Sequence, residues 1–238
     1  MANNPLFYKA TVPLDRDRHR TLRFVQPERP YAFAAEAHLI PAVVEEFAAA
    51  ARHLPIVFTM GGGGPNAVFL TGLRPQSNAF VDAEGRWTSP YVPAFLRRYP
   101  FIVGDVAGRE PILCIDDRYE GFGKRKGQLL FNDAGEPSEL LLEKLKFSRD
   151  YFRAAQKNIA LGRALQAMDL LHAISVQSHG PQASVMHGLL AVDEARLAAL
   201  DDTQILELRR EGLLGPIYAH LLSLGSVDRI AGAQAQAA

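Results

Sequence analysis

Cysteine is nearly absent: Cys114 is the one thiol among 238 residues. A single thiol excludes an intramolecular disulfide framework and a cysteine-rich zinc site. It lies in the apolar run Pro111-Ile112-Leu113-Cys114-Ile115, where it reads as a buried strand residue. A charge surplus is missing too. Twenty-six basic and 26 acidic side chains give a formal net charge of zero. That excludes the basic footprint of a general nucleic-acid binder, so no nucleic acid is expected as a partner. The segment Met1-Ala2-Asn3-Asn4-Pro5-Leu6-Phe7-Tyr8-Lys9 lacks the basic-then-apolar pattern of a signal peptide. The longest uncharged run, Leu54 to Leu73, has roughly the length of a membrane-spanning helix. Its centre is Gly61-Gly62-Gly63-Gly64-Pro65, which breaks any helix. The run therefore reads as strand, loop, strand, and the expectation is a soluble cytoplasmic protein without membrane insertion.

Familiar catalytic signatures are also lacking. The glycines at 61–64 are followed by Pro65-Asn66 instead of the Lys-Ser/Thr pair of a phosphate loop. The histidines (His19, His38, His53, His172, His179, His187 and His220) form no His-Glu-x-x-His pair and no His-x-Asp/Glu unit. No Gly-x-Ser-x-Gly elbow is present. No cofactor and no metal are expected.

What is present is a globular composition, 48% hydrophobic and 22% charged, in a chain long enough to bury roughly 70–75% of its unfolded surface. Pro41 suits the first turn of a helix, and Val44, Phe47, Ala48, Ala51 and Leu54 predict that helix to about His53. β-Rich runs follow at 56–59, 67–70 and 78–81, the last leading through Asp82-Ala83-Glu84-Gly85 to Trp87. Phe101–Val103 and Ile112–Ile115 read as a second hairpin, and a turn similar to the first recurs at Asn132-Asp133-Ala134-Gly135. Residues 91–98 predict a short helix ending before Tyr99-Pro100. A long helical stretch starts at Glu136-Pro137-Ser138 and continues through Leu165, Met168 and Leu171, with a break or kink at Gly162. Ser184 to Val192 reads as a last strand. A helix capped by Asp201 and Gln204 stops at Gly212; another runs from Pro216 to Gly225. The tail from Ala231 to Ala238 is expected to fray. Strands early and helices late predict an α+β fold, a mostly antiparallel sheet from the N-terminal half packed by helices of the C-terminal half. No linker divides the chain, so one domain over 1–238 is expected.

Several residues are candidates for binding. Lys124, Arg125 and Lys126 sit between glycines and suit an anionic ligand, although Asp116, Asp117, Glu120 and Asp133 lie close in sequence and would blunt their field. Trp87 and Tyr91 with Arg97 and Arg98 offer an aromatic, basic pocket; the competing reading is a hairpin anchor and helix-end cations. Carboxylates such as Asp105, Asp116 and Asp117 are available for acid–base work, but one sequence does not give their separations. His172, His179 and His187 recur around a Gly-Pro turn without a metal-ligand spacing. His220 sits on an apolar helix and reads as a hydrogen-bonded core residue.

The chain resembles a known family. Leu54-Pro55-Ile56-Val57-Phe58, Leu70-Thr71-Gly72-Leu73, Asn78-Ala79-Phe80-Val81-Asp82 with Gly85-Arg86-Trp87, and Tyr91-Val92-Pro93-Ala94-Phe95-Leu96-Arg97-Arg98-Tyr99-Pro100-Phe101 are similar to segments of the bacterial SapC proteins. So are Leu113-Cys114-Ile115-Asp116, Val192-Asp193-Glu194 and Ile217-Tyr218-Ala219-His220-Leu221-Leu222-Ser223-Leu224. The resemblance spans about residues 10–230 and contains no catalytic motif. It implies a bacterial source. The family name is tied to surface layers, and some members carry a peptide-permease label, which a chain without spanning helices does not suit. Members are often encoded beside TonB-dependent receptors and flavin-dependent tryptophan halogenases, which implies an accessory part in uptake or modification. The resemblance transfers no catalytic residue. Two readings stay open. One is an accessory or binding protein with a protein or peptide partner. The other is an enzyme acting on a peptide or small molecule. Candidate residues inside the family-like segments and near them are His19, Arg23, Trp87, Arg97, Arg98 and Asp116.

Overall fold

The computed structural model describes residues 4–104, 111–177 and 185–230. Asp105, His179, Ser184 and the tail from Ala231, invoked above, lie outside them. Strands in chain order are β1 (Thr11–Pro13), β2 (Arg23–Phe24), β3 (Leu39–Pro41), β4 (Ile56–Gly61), β5 (Gly64–Leu70), β6 (Phe101–Gly104), β7 (Ile112–Asp116), β8 (Phe122–Gly123), β9 (Gln128–Leu129), β10 (Leu171–Gln177) and β11 (Val185–Val192). The α-helices are α1 (Phe47–Ala50), α2 (Ala94–Arg97), α3 (Glu139–Ala167), α4 (Glu194–Ala198), α5 (Asp202–Arg210) and α6 (Leu214–Ser223). The protein is α+β, with antiparallel pairing throughout these strands.

The largest sheet runs β10-β11-β4-β5-β3. Its centre is the uncharged run read above as strand, loop, strand. β4 and β5 pair from Ile56↔Phe69 to Gly61↔Gly64, so the glycines form the tip of a hairpin. Ile56, Val57 and Phe58 are all buried, which places both faces of β4 under cover. β10 and β11 add a second long hairpin from the C-terminal half, joined to β4 at Leu189↔Thr59 and Leu190↔Phe58. Two smaller sheets, β1-β7-β6 and β8-β2-β9, surround a second apolar cluster of Phe101, Ile115, Leu130, Phe131 and Leu141.

α3 serves both clusters. Ser138 caps it by accepting from the Leu141 amide, and Glu139 follows in the first turn. Leu141 near its start lies in the second cluster; Tyr151, Ala154, Leu161 and Leu165 lie in the main one. The expected break at Gly162 does not occur. A Cβ there would lie 2.2 Å from the Pro65 carbonyl oxygen, so glycine permits the helix to cross β5 at van der Waals distance. The helix ends at Ala167 and Asp169 takes φ +52°, turning the chain into β10. Leu171, which continued the helical spacing, is therefore a strand residue. The helix expected from Pro41 is also shorter. Pro41 closes β3 opposite Val68, and only a 3-10 turn (Val44–Glu46) and α1 follow. Of the residues in that apolar spacing Phe47, Ala51 and Leu54 are buried and Val44 is half-buried, whereas Ala48 is exposed.

The two similar turns share one construction. The backbone of Asp82 and Asn132 donates to the carbonyl of Arg86 and Glu136, and their side chains accept from those residues' amides. Gly85 and Gly135 take φ +70° and +80°, the left-handed conformation such turns require. Each turn closes on a single bridge, Val81↔Trp87 and Phe131↔Pro137. No helix among the described residues is long and apolar enough to cross a membrane.

α6 docks through β4. The amide and carbonyl of Ile56 on the side away from β5 have no strand partner. The Ser223 hydroxyl accepts from the amide (2.8 Å), and His220 Nδ1 donates to the carbonyl (2.8 Å). His220 Nε2 accepts from the Val192 amide at 3.0 Å, which fixes a neutral imidazole. Burial lowers its pKa to about 4, against the Ile56 bond, which favours the charged ring. A base depressed in the fold binds its proton more tightly when unfolded. Its stabilising contribution is thus complete above the ordinary histidine pKa and is lost as the pH falls toward 4. Urea melts between pH 7 and 4 are expected to lose on the order of 3 kcal/mol through this group. In His220→Gln the pH slope is expected to shrink while overall stability drops.

Candidate functional site

A cavity of about 300 Å³ opens where the two clusters meet. Its wall is built from four stretches of chain. β2 supplies Phe24, and the segment after it, which includes a 3-10 turn (Ala32–Ala34), supplies Gln26, Pro30, Tyr31 and Phe33. α2 and the residue after its C-cap supply Leu96, Arg97 and Tyr99. Tyr119 follows β7, and the first turns of α3 supply Glu143, Lys144 and Phe147. The rings support one another. Phe33 and Tyr99 centroids are 4.3 Å apart, Phe24 stacks on Tyr119 at 5.7 Å, and Tyr99 meets Tyr119 edge-on at 5.3 Å. The Arg97 guanidinium lies 5.0 Å from the Phe147 ring centre, and Lys144 Nζ 5.8 Å from that of Phe24.

Two buried carboxylates hold this wall from behind. Asp116, at the end of β7, accepts from the amides of Lys9, Ala10 and Arg118 and from the Tyr99 hydroxyl at 2.9 Å. Burial works to raise its pKa, but these donors prevail and hold the carboxyl below the usual carboxylate range. Tyr99 is pushed up by burial and by Asp116, and Tyr119 by burial and Glu120, so both remain neutral phenols. Glu46 accepts from the Tyr91 hydroxyl (2.8 Å) and from the Ala94 amide (2.5 Å), where it caps α2. Arg97 Nη2 lies 3.8 Å away. Burial raises the Glu46 pKa against those partners.

The sequence candidates separate into four groups. Arg97 lines the cavity. Tyr91, Trp87, Arg98 and Asp116 stand behind it: Trp87 donates to the Tyr91 carbonyl and packs on Tyr31, which lines the wall. The Arg98 guanidinium is held between Phe95 and Tyr151, 4.3 and 4.2 Å from their ring centres, and its Nε has no hydrogen-bond partner. Arg23 and Lys124 line a separate hollow of about 320 Å³ together with Arg20. Arg125 and Lys126 are exposed in the β8–β9 connection, and His19 is buried with Nδ1 accepting from the Asp15 amide. The sequence reading missed Phe24, Tyr31, Phe33, Tyr99, Tyr119, Phe147 and Glu46. One signal pointed to Glu46: it lies three residues after Val43 and four before Ala50, on the apolar face of its segment.

The family model SapC matches residues 14–230, which takes in every residue of the cavity wall. The chain belongs to the SapC family. No curated protein and no solved structure matches it. Among the described SapC residues no group of three or more His, Cys, Asp or Glu is placed to hold a metal ion. What the site can do chemically is enclose a ring among rings and face a negative charge with Arg97 and Lys144.

Removing the Asp116 carboxylate leaves the part-buried donors at Lys9, Ala10 and Tyr99 unpaired. Asp116→Ala is expected to lower stability by about 3 kcal/mol in urea. Its cavity is expected to loosen as well, read as increased Tyr99 ring exchange by NMR.

Proposed function

We propose that this chain is a non-catalytic binding protein, acting as one domain. Its cavity takes an aromatic group that carries a negative charge, from a small molecule or a peptide. In this reading it is a cytoplasmic accessory component of a bacterial uptake or modification pathway linked to TonB-dependent receptors. The observation that carries the binding reading is the cavity wall itself. Six aromatic rings enclose a volume at the small end of the range for ligand pockets. The cations at the wall set polarity: Arg97 and Lys144 against Glu143. The pathway rests on the family's genomic company and on nothing in the cavity.

Calorimetric titration with 2-naphthoate and with uncharged 2-naphthamide tests it. Saturable one-to-one binding of the acid, weaker for the amide, is expected. Arg97→Gln is expected to weaken naphthoate a few-fold through lost orientation, and Phe33→Ala about ten-fold through lost ring contact. If neither compound binds, or neither variant changes the affinity, the cavity is not the site.

One observation favours the enzymatic reading. Ser175 Oγ lies 2.9 Å from His187 Nδ1 across the β10–β11 pair. The ladder shifts register between Ile174 and Val176, a bulge of the kind that re-aims side chains near active sites. Both residues are exposed, and a hydroxyl–imidazole contact alone does not make a nucleophile. Treatment with a fluorophosphonate followed by intact-mass measurement is expected to leave the chain unmodified. A stoichiometric adduct on Ser175, abolished in His187→Ala, would establish the enzymatic reading instead.

A further inference from the structure

The second hollow lies away from the aromatic cavity and shares no residue with it. It is lined by Arg20, Thr21, Arg23, Lys124, Leu129, Phe131, Asn132 and Asp133. The small sheet β8-β2-β9 creates it. Arg23 in the middle strand lies between Gly123 and Leu129, so Lys124, the next residue after Gly123, is brought to the same end of the sheet. Arg20 reaches in from the turn before β2.

Two of these cations are held in place by neutral acceptors. Arg20 donates to the Asp133 carbonyl, and Arg23 Nη1 donates to the Gly127 carbonyl at 2.9 Å. These bonds orient the guanidinium groups without cancelling their charge. None of Arg20, Arg23 and Lys124 forms an ion pair among the described residues. The acidic neighbours in sequence are directed elsewhere. Asp116 is buried beneath Tyr99, Asp117 pairs with Arg18 at 3.0 Å, and Glu120 lines a different hollow beside Lys9 and Arg118. Asp133 alone adds a carboxylate to the lining.

We infer that this hollow binds a phosphate monoester group. Three cations against one carboxylate leave a surplus of two positive charges, which matches the near-dianion such a group forms at neutral pH. Two guanidinium forks offer the paired donors that tetrahedral oxyanions accept, and a carboxylate ligand would leave part of the surplus unmatched.

The test is titration of the full chain with inorganic phosphate at low ionic strength, followed by amide chemical shifts. Saturable shifts confined to residues 20–24, 123–129 and 131–133 are expected. Arg23→Gln and Lys124→Gln are each expected to weaken binding about ten-fold, while Lys146→Gln, an exposed cation on α3, leaves it unchanged. These side chains are on the surface, so the variants are expected to melt as the parent does. Sedimentation with phosphatidylcholine vesicles, with and without phosphatidic acid, identifies the source of the group. Retention on the phosphatidic acid vesicles that is lost in Arg23→Gln supports the site with a lipid headgroup as its ligand. Phosphate binding without retention supports it with a soluble ester. Shifts that never saturate, that spread over all exposed lysines and arginines, or that persist in both variants overturn it.

Discussion

A single helix fixes the geometry of this protein. α3 passes over β5 with Gly162 against the Pro65 carbonyl and then extends to a second apolar cluster around Phe101 and Leu130. At about 1.5 Å per residue its 29 residues cover roughly 43 Å, enough to lie on both clusters. Asn158, on the same helix, accepts from the Val44 amide and donates to the Ala42 carbonyl, which ties α3 to the segment after β3. Any side chain at 162 would press the helix away from β5, and the same helix carries Glu143, Lys144 and Phe147, which form one wall of the cavity. Packing on β5 and one wall of the cavity thus depend on the same helix.

α2 is the opposite wall, and it is positioned by charge buried on either side of it. Glu46 caps its first turn from below. The adjacent arginines then part. Arg97 turns toward the cavity and remains 43% exposed at its side chain, whereas Arg98 is held between two rings in the interior. A guanidinium tolerates that setting because its planar face stacks on aromatic rings and it is more weakly hydrated than an ammonium. Lysine at 98 would bring a compact, strongly hydrated charge into the same space. The pair Arg97-Arg98 thus reads as one cavity-lining cation and one packing element, a distinction set by which side of α2 each residue lies on.

Much of the fold was legible because it is local. The β4–β5 hairpin, the turn at Asp82–Gly85, α2, the capped α5 and the β6–β7 pairing each announce themselves through apolar runs, turn residues or caps within a few positions. The errors arose where distant contacts override local signals. Gly162 has a helix-breaking propensity, but its role is close packing against β5, a contact nearly a hundred positions away in sequence. Leu171 kept the helical period, yet the left-handed turn at Asp169 redirects the chain into a strand. The site was harder. Arg97, Trp87 and Tyr91 were singled out, but the rings that make the wall come from four separated stretches, and no spacing rule joins Phe24 to Tyr99 or Phe147. Lys124 and Arg23 were both candidates for separate reasons; only strand pairing shows that they share one hollow, and that Arg20 belongs with them.

The chemistry of the aromatic cavity bears on what kind of ligand its affinity depends on. Tyr99 and Tyr119 are held as phenols, so they add hydrogen-bonding dipoles and no charge. Arg97 already lies within 3.8 Å of Glu46, and Lys144 shares the wall with Glu143. Arg97 is partly answered before a ligand arrives and is nearly half exposed to screening water. A negative charge on the ligand therefore gains orientation more than binding energy. The larger gain comes from ring surface: burying an aromatic group removes about 150–250 Å² from water, and at about 25 cal/mol per Å² that outweighs what a screened surface cation supplies. The cavity is better suited to recognising a ring than an anion, whereas the hollow beside β2 has the opposite balance of charge and apolar wall. The two hollows share β2, which gives Phe24 to the aromatic cavity and Arg23 to the cationic hollow.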